Sequence, residues 1–333
     1  MGKTIYTQGA SPAVPYLSGT TISGSSIDSN SSISNYSGVV NIFVAVQNGA
    51  SSTAAFSTNG ITWTTRTSFG GLRAVTFGNN TFVAVGSGTN AASSTDGITW
   101  TTRTLPSSAN SYSVAYGDGI FVSVGQYSTS AASSTDGITW TLRTLPASRD
   151  WKSIAHGSGV FVAVVYDSTS AASSTDGITW TARTLPSSKR WSSVTYGNST
   201  FVAVSYMYGG GTTAAASSTD GITWTTRTMP SSAGWWAVTF GGGLFVAIVT
   251  NGVTAASSTN GITWTTRTLP ASVSWYSVTY GNGAFAAIAA NSATAASSTD
   301  GITWTLRTMP ANTDWRSVTF GQPNVSVRQL STL

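Results

Sequence analysis

Aromatic and basic side chains stand together at the start of several equivalent segments, where they have the chemistry to bind a saccharide. A tryptophan begins five of these segments: Trp151, Trp191, Trp235, Trp275 and Trp315. Four cations lie beside the first two tryptophans: Arg149, Lys152, Lys189 and Arg190. Aromatic rings next to cations suit the stacking of sugar rings and the binding of acidic glycans. With Tyr206 and Tyr208, in a longer connection, these residues form the predicted ligand site.

The chain offers few catalytic or metal-binding side chains. It has no cysteine, one histidine and ten acidic residues, all of them aspartates. His156 occupies the position that Tyr196 and Phe240 hold in equivalent segments, so it is predicted to be a partly buried replacement rather than a base. The sequence has no cluster of metal ligands. We therefore predict no metal, no cofactor and no catalytic residue.

The elements that position these residues follow from a repeat, the string GITW, which occurs seven times. Its tryptophans are Trp63, Trp100, Trp140, Trp180, Trp224, Trp264 and Trp304. The intervals between them are 37, 40, 40, 44, 40 and 40 residues, and four-stranded propeller blades recur at roughly 40 to 45 residues. Because each indole is able to bury roughly 150 to 250 Å², these tryptophans are predicted to be the main packing element between blades.

Residues 191–230 show how one repeat is predicted to fold. Four short strand-like segments, named strands A to D, follow one another without a helical pattern. Gly197 with Asn198 forms the turn between A and B, and Asp220 with Gly221 forms the turn between C and D, since these residue types tolerate positive φ. The apolar sequence FVAV of strand B has to be covered on both faces, as packing between blades provides.

The first and last repeats complement each other. Residues 315–320 repeat strand A with no B, C or D after it, whereas the first repeat has B, C and D without an A. Pairing of residues 315–320 with residues 43–46 therefore completes a seventh blade. The predicted fold of residues 37–333 is an all-β, seven-bladed β-propeller of four-stranded antiparallel blades, closed by this pairing of the C-terminal strand A with the N-terminal strands B to D.

The repeat also resembles a known motif. The segment SSTDGITW resembles the Asp-box, a β-hairpin motif of sialidase-like propellers, although here the aspartate stands one residue before the glycine instead of two. The aspartates are Asp96, Asp136, Asp176, Asp220 and Asp300. Two other repeats have Asn59 or Asn260 instead. Since an amide keeps the turn-forming ability and removes the charge, the repeat aspartates are predicted to be structural.

Proteins with an Asp-box usually cleave glycosides, so the resemblance makes this the first activity to consider. Glycosidases use two carboxylates, and sialidases are expected to combine an arginine cluster with a tyrosine, a glutamate and an aspartate. The chain has no glutamate, and five aspartates lie outside the repeat turns: Asp28, Asp118, Asp150, Asp167 and Asp314. A sialidase-like glycoside hydrolase is the less favoured alternative, and the chain is predicted not to be an enzyme.

Composition and charge limit the partners. Charged residues make up 8% of the chain, and the formal net charge is +5. Seven arginines are spread one per repeat, so they form no stripe for phosphate binding. The N-terminal sequence lacks the apolar stretch of a signal peptide, and no segment has the length of a membrane span. We predict synthesis in a cytosol, no nucleic-acid binding and no membrane insertion.

The connections from D to A and from B to C vary between repeats, whereas the other two turns are nearly identical. In a propeller the two variable sets emerge on one face, which is predicted to carry the function. The tryptophans that begin strand A either line the channel mouth on that face or, in the favoured interpretation, fill the gaps between blades beneath the loops.

Residues 1–36 form a polar leader that is predicted to tether or anchor the propeller. A cysteine-free, Ser/Thr/Gly-rich repeat protein with such a leader resembles the accessory and receptor-binding proteins of bacteriophage particles. The resemblance implies a virion location, attachment to other virion proteins through residues 1–36, and contact of the variable face with a host-surface glycan or protein. The alternative is an architectural decoration or scaffold protein with no host ligand.

Overall fold

The computed structural model describes residues 35–49, 53–67, 70–207 and 210–328. The chain divides into two units, one formed by Met1–Tyr36 with Val327–Leu333 and the other by Ser37–Ser326. All of the four-stranded sheets belong to the second unit. Residues 1–34 of the predicted leader and Tyr208 of the predicted ligand site lie outside the described residues.

Every regular element of the described residues is a β-strand. The first fifteen are β1 (Asn35–Val39), β2 (Ile42–Gln47), β3 (Thr53–Ser57), β4 (Thr64–Thr67), β5 (Leu72–Gly78), β6 (Thr81–Gly86), β7 (Asn90–Ser94), β8 (Thr101–Thr104), β9 (Ser111–Gly117), β10 (Ile120–Gly125), β11 (Ser128–Ser134), β12 (Thr141–Arg149), β13 (Trp151–Gly157), β14 (Val160–Val165) and β15 (Ser168–Ser174). The other fourteen are β16 (Thr181–Gly197), β17 (Thr200–Tyr206), β18 (Thr212–Ser218), β19 (Thr225–Ala233), β20 (Trp235–Gly241), β21 (Leu244–Val249), β22 (Gly252–Ser258), β23 (Thr265–Val273), β24 (Trp275–Gly281), β25 (Ala284–Ala289), β26 (Ser292–Ser298), β27 (Thr305–Thr313), β28 (Trp315–Gly321) and β29 (Asn324–Arg328).

The strands pair into antiparallel sheets that follow the repeat. Five sheets have four strands, in the orders β28-β2-β3-β4, β5-β6-β7-β8, β12-β11-β10-β9, β20-β21-β22-β23 and β24-β25-β26-β27. A seven-stranded sheet, β13 to β19, holds two repeats, because β16 continues from strand D of one into strand A of the next. A two-stranded sheet pairs β1 with β29. This all-β architecture is consistent with a β-propeller, and no helix with the length and apolarity of a membrane span occurs in the described residues.

Strand β28 pairs with β2, which is the pairing that the sequence predicts. Phe43 lies opposite Phe320, and Val44 lies opposite Thr319. The sheet continues from β2 into β3 and β4. Because Phe43 and Val44 are wholly buried, the joint between the first and last repeats belongs to the core.

The A-to-B connection of residues 191–230 is a tight hairpin, as predicted, but its two positive-φ residues are Asn198 and Ser199 and not Gly197 with Asn198. Between β16 and β17, Gly197 lies opposite Thr200, and the two residues between them, Asn198 and Ser199, have φ of 44° and 56°. Two consecutive residues with positive φ are characteristic of a type I′ turn, whose twist matches that of the paired strands.

The C-to-D turn is held by its aspartate. In the last repeat Oδ1 of Asp300 accepts hydrogen bonds from the backbone N–H groups of Thr303 and Ile302, both at 2.8 Å. Because these bonds favour the charged carboxylate, they lower the pKa of Asp300 to about 2. Asn59 and Asn260 accept the equivalent bonds through their amide oxygens. The repeat acid is therefore a turn residue, as the alternation of Asp and Asn predicts.

Two sets of tryptophans share the packing between neighbouring sheets. In one buried cluster Trp191 and Trp224 pack with Val164, Leu185 and Phe201. The repeat tryptophans are 7% to 9% exposed, whereas the five tryptophans that begin strand A are 0% to 1% exposed. The repeat tryptophans thus lie between blades as predicted, but they are not the most buried rings there.

Serines link neighbouring strands A, which are called the inner strands because they surround a central cavity. Each serine Oγ accepts a hydrogen bond of 3.1 to 3.2 Å from a backbone N–H of the next inner strand. The pairs are Ser113 with Ile154, Ser153 with Val194, Ser193 with Val238, Ser277 with Val318, and Ser317 with Val75. Ala74 and Ala237 hold the same position in the other two inner strands.

Ala237→Ser is expected to raise the free energy of unfolding by about 1 kcal/mol, because the new hydroxyl gives the backbone N–H of Val278 the partner found in other repeats. Urea denaturation of the wild type and the variant measures the change. The reciprocal control is Ser277→Ala, which is expected to lower stability by about 1 to 2 kcal/mol, since the N–H of Val318 loses its acceptor. A less stable Ala237→Ser variant would contradict this role of the serines.

Aromatic rings fill the space between inner strands at their other end. The glycine that ends one inner strand lies under the ring of the sixth residue of the next inner strand, so a Cβ atom there would overlap that ring. The seven pairs are Gly78 with Tyr116, Gly117 with His156, Gly157 with Tyr196, Gly197 with Phe240, Gly241 with Tyr280, Gly281 with Phe320, and Gly321 with Phe77. Each inner strand therefore requires glycine at this position for close contact with its neighbour.

Candidate functional site

A cavity of about 150 Å³ lies among the inner strands. The second residue of every inner strand lines it, and these seven residues are called the channel ring: Arg73, Tyr112, Lys152, Ser192, Trp236, Tyr276 and Arg316. The ring residues differ from repeat to repeat, whereas the residues that follow them are nearly constant. Variable side chains on a constant frame are typical of a binding site.

A β-bulge aims each ring residue into the cavity. In β13 the register with β14 shifts between Trp151 and Ser153, which leaves Lys152 as the extra residue. The same shift occurs at the start of the other six inner strands. Bulges bend a strand and redirect a side chain, and they are common next to functional sites.

Cations of the channel ring lie over its aromatic rings. The Nζ atom of Lys152 is 3.8 Å from the ring centroid of Tyr112 and 5.0 Å from that of Trp236. Tyr112 also contacts Arg73, whose Cζ atom is 4.6 Å from the ring centroid of Tyr112. Such contacts hold the positive charges in place without neutralising them.

The third cation, Arg316, has the same kind of contact together with an ion pair. Its Cζ atom is 4.4 Å from the ring centroid of Tyr276, and its Nη2 donates to Oδ2 of Asp314 at 2.6 Å. The centroids of Tyr276 and Trp236 are 4.8 Å apart, so aromatic surface extends from Arg316 to Lys152. The channel ring itself contains three cations and no carboxylate.

The charges of the channel ring repel one another. Burial in the cavity lowers the pKa of Lys152 from 10.5 to about 8; the carboxylate of Asp150 opposes this shift, and the positive charges of Arg316 and Arg73 add to it. Burial also raises the pKa of Asp150. An anion between the three cations would relieve their repulsion, so the channel ring has the electrostatics of a small-anion site.

The five tryptophans predicted for the ligand site do not line the cavity. They are wholly buried between blades: Trp151, Trp191, Trp235, Trp275 and Trp315. Each indole Nε1 donates to the carbonyl oxygen four residues earlier, as Trp151 does to Ala147 at 3.1 Å. Their burial agrees with the favoured interpretation, in which they fill the gaps between blades, and corrects the alternative that they line the channel mouth. The bulge turns the next residue, and not the tryptophan, toward the cavity.

Four other predicted ligand residues lie outside the channel ring: Arg149, Lys189, Arg190 and Tyr206. The Nε atom of Arg190 is 3.0 Å from Oδ1 of Asp167, so its charge is already paired. Tyr206 contacts the ring residue Trp236 edge to face, with centroids 5.3 Å apart. Among the described residues, Lys152 is the one predicted ligand residue that belongs to the channel ring.

Sequence reasoning missed the other six ring residues. The signal lay in one column of the repeat, since the second residue of strand A reads R, Y, K, S, W, Y and R while its neighbours barely change. The direction of these side chains depends on the β-bulge, and no residue type in the repeat predicts that bulge.

His156 lies four residues beyond the channel ring on its inner strand. Its Nε2 is 3.0 Å from Oδ2 of Asp118, and its side chain is 14% exposed. The imidazole ring of His156 packs on the ring of Phe161, with centroids 4.5 Å apart. His156 is therefore the partly buried replacement that its position in the repeat predicts. The described residues hold no group of three or more side chains suited to a metal ion.

Solved structures similar to this chain are β-propellers. Catalytically inactive virginiamycin B lyase from Staphylococcus aureus with quinupristin is 12% identical, with a TM-score of 0.68 over 87% of this chain and 100% of that chain. YCF48 bound to D1 peptide is 18% identical, with a TM-score of 0.59 over 86% of this chain and 94% of that chain. Neither protein-family models nor curated protein sequences give a match. The similarity shows the fold and supports neither an Asp-box family nor a bacteriophage protein.

The prediction that the chain is not an enzyme is contradicted by these comparisons. Structures with the same fold include virginiamycin B lyase, an enzyme, at 11% to 14% identity. The prediction was wrong because it weighed the side chains needed for glycoside hydrolysis alone, whereas one fold accommodates many reactions. The fold by itself does not show an activity.

Proposed function

We propose that residues 37–321 form a closed ring of seven blades. The support comes from the contacts between glycines and aromatic rings, which run through all seven inner strands and return from Gly321 to Phe77. The pairing of β28 with β2 supplies the inner strand that the first repeat lacks. A ring of this kind has one central channel, and the channel ring lies at one of its mouths.

We also propose that the channel ring binds an anionic group of a surface ligand. The observation that carries this proposal is the convergence of Arg73, Lys152 and Arg316 on one cavity with no carboxylate in the ring. Arg316 is paired with Asp314 and Arg73 donates to Ser87, whereas Lys152 lies over aromatic rings, and a bound anion would stabilise its charged form. The cavity of about 150 Å³ admits one small group, such as a carboxylate or a sulfate.

The ligand reaches this site from the face that carries the variable loops, since the ring residues stand at the start of strand A, directly after the D-to-A connections. A host-surface glycan or protein stays the proposed partner class. A virion location and attachment through residues 1–36 remain proposals that rest on composition alone. Variable side chains that line a cavity on a constant frame are typical of ligand binding, so we favour ligand binding over a purely architectural role.

Titration calorimetry with carboxylate-bearing oligosaccharides, each paired with its methyl ester, tests the proposed function. The acid is expected to bind and the ester to bind at least tenfold more weakly, because a charged hydrogen bond contributes about 1.5 to 3 kcal/mol. Binding of the acid is expected to weaken as the pH rises through about 8, where Lys152 loses its proton.

Guanidinium groups in general stay protonated in proteins, so a decline near pH 8 distinguishes binding at Lys152 from binding at arginines alone. Equal affinity for acid and ester, or affinity that is constant from pH 6 to pH 10, would contradict an anion site at Lys152.

A further inference from the structure

Tyr127 is the most exposed large apolar or aromatic side chain of the described residues, at 74%. It stands in a B-to-C turn with φ of 49°. At the same position other repeats have Gly88, Asp167, Asn251 and Asn291, also with positive φ. These are the residue types that tolerate this conformation, whereas a bulky side chain is strained there.

The strained tyrosine lies beside the channel ring. The pairing of Ser128 with Arg149 across β11 and β12 brings Tyr127 next to Asp150. The negative charge of Asp150 raises the pKa of Tyr127, and the ring residue Tyr112 acts in the same direction. Tyr127 therefore lies beside Asp150, which is two residues before the ring residue Lys152 in the sequence.

Asp150 is not available to a ligand. Its Oδ1 atom is buried, and its carboxylate already interacts with the side chains of Gln126 and Tyr127 and with the charge of Lys152. The exposed aromatic face of Tyr127 is therefore the surface beside Asp150 that a ligand is able to contact.

We infer that Tyr127 is the stacking surface for a sugar ring of a carboxylate-bearing saccharide, whose carboxylate enters the channel ring. This inference rests on the proposed function and adds the class of ligand. A saccharide unites the two features, because one ring offers an apolar face for Tyr127 and a carboxylate for the cations. A nucleic acid would need a stripe of cations for successive phosphates, which the channel ring does not provide.

Tyr127→Asn separates a binding role from a structural one. The variant is expected to raise the thermal midpoint by about 2 °C, because asparagine suits the positive φ. Its affinity for the tightest-binding member of a panel of uronic-acid and sialic-acid oligosaccharides is expected to fall about tenfold. If Tyr127 had only a structural role, Tyr127→Asn would lower the stability of the protein and leave its affinity for the oligosaccharide unchanged.

Two controls accompany this variant. Tyr127→Trp keeps an aromatic surface and is expected to retain the affinity for the oligosaccharide. Asn291→Gly changes the equivalent turn of another repeat and is expected to leave the affinity unchanged. The rise in thermal midpoint caused by sulfate, a simple anion for the channel ring, is expected to be the same in Tyr127→Asn as in the wild type.

Wild-type affinity for the oligosaccharide in Tyr127→Asn, or a less stable variant, overturns the inference and leaves the proposed function standing. Binding of sulfate by the wild type without binding of any oligosaccharide likewise overturns the inference alone. If neither sulfate nor any oligosaccharide binds, the proposed function fails with it.

Discussion

Gly321→Ala is expected to lower the free energy of unfolding by about 3 kcal/mol. The glycine ends the last inner strand, and a Cβ atom there would overlap the rings of Phe77 and Phe82, which belong to the second repeat. Phe82 is wholly buried, and Phe77 is partly buried and packs against the same cluster, so extra volume there forces neighbouring side chains and backbone to move. Urea denaturation followed by circular dichroism measures the loss, and a protein that fails to fold agrees with it.

The matched control for this substitution is Gly38→Ala. A Cβ atom at Gly38 would meet no other atom within 4 Å, so its effect on stability is expected to stay within about 0.5 kcal/mol. If Gly321→Ala were as stable as Gly38→Ala, the last inner strand would not be in contact with the second repeat as described.

The double variant Arg73→Gln/Lys152→Met is expected to weaken the binding of a carboxylate-bearing oligosaccharide by at least about 100-fold. Each cation contributes a charged hydrogen bond of about 1.5 to 3 kcal/mol, and about 2.7 kcal/mol corresponds to 100-fold. Titration calorimetry measures the loss. Arg316 is left in place because its removal would leave the carboxylate of Asp314 without its partner.

The same double variant is expected to fold, and its stability is expected to lack the pH dependence that Lys152 causes in the wild type. Because the pKa of Lys152 is about 8 in the folded protein and 10.5 ordinarily, the unfolded chain binds more protons between these values. Wild-type stability therefore rises with pH from about 8 to 10.5, and this rise is absent in the variant. Arg227→Gln/Arg267→Gln, which removes two charges from outer strands, is the control for net charge and is expected to bind normally. Full binding by the double variant of the channel ring would contradict the anion site.

Much of the fold is predictable from sequence because the same pattern of strand and turn residues occurs in seven repeats. The period of about 40 residues predicts four-stranded units, and Asn198 predicts a turn with positive φ. The exchange of Asp for Asn in the C-to-D turn predicts an amide-binding oxygen rather than an acid catalyst. The missing strand A of the first repeat predicts the pairing of β28 with β2.

The site was less predictable because side-chain direction in an inner strand depends on a bulge. Simple alternation gives no reason why Lys152 faces the cavity while Trp151 is buried. The tryptophans that begin strand A were predicted to bind a ligand because they are large and aromatic. The channel ring differs from its surroundings in sequence only by variation at one position of the repeat. Tyr127 is unremarkable as a residue in a loop, and its significance depends on a φ angle and an exposed fraction that the structure supplies.

A crystal structure of the protein with the tightest-binding carboxylate-bearing oligosaccharide tests the central claim most directly. The expected result is a closed ring of seven blades with the ligand carboxylate within hydrogen-bond distance of Arg73, Lys152 or Arg316. A ligand bound away from this cavity, or an open arrangement in which β28 does not pair with β2, would contradict the claim.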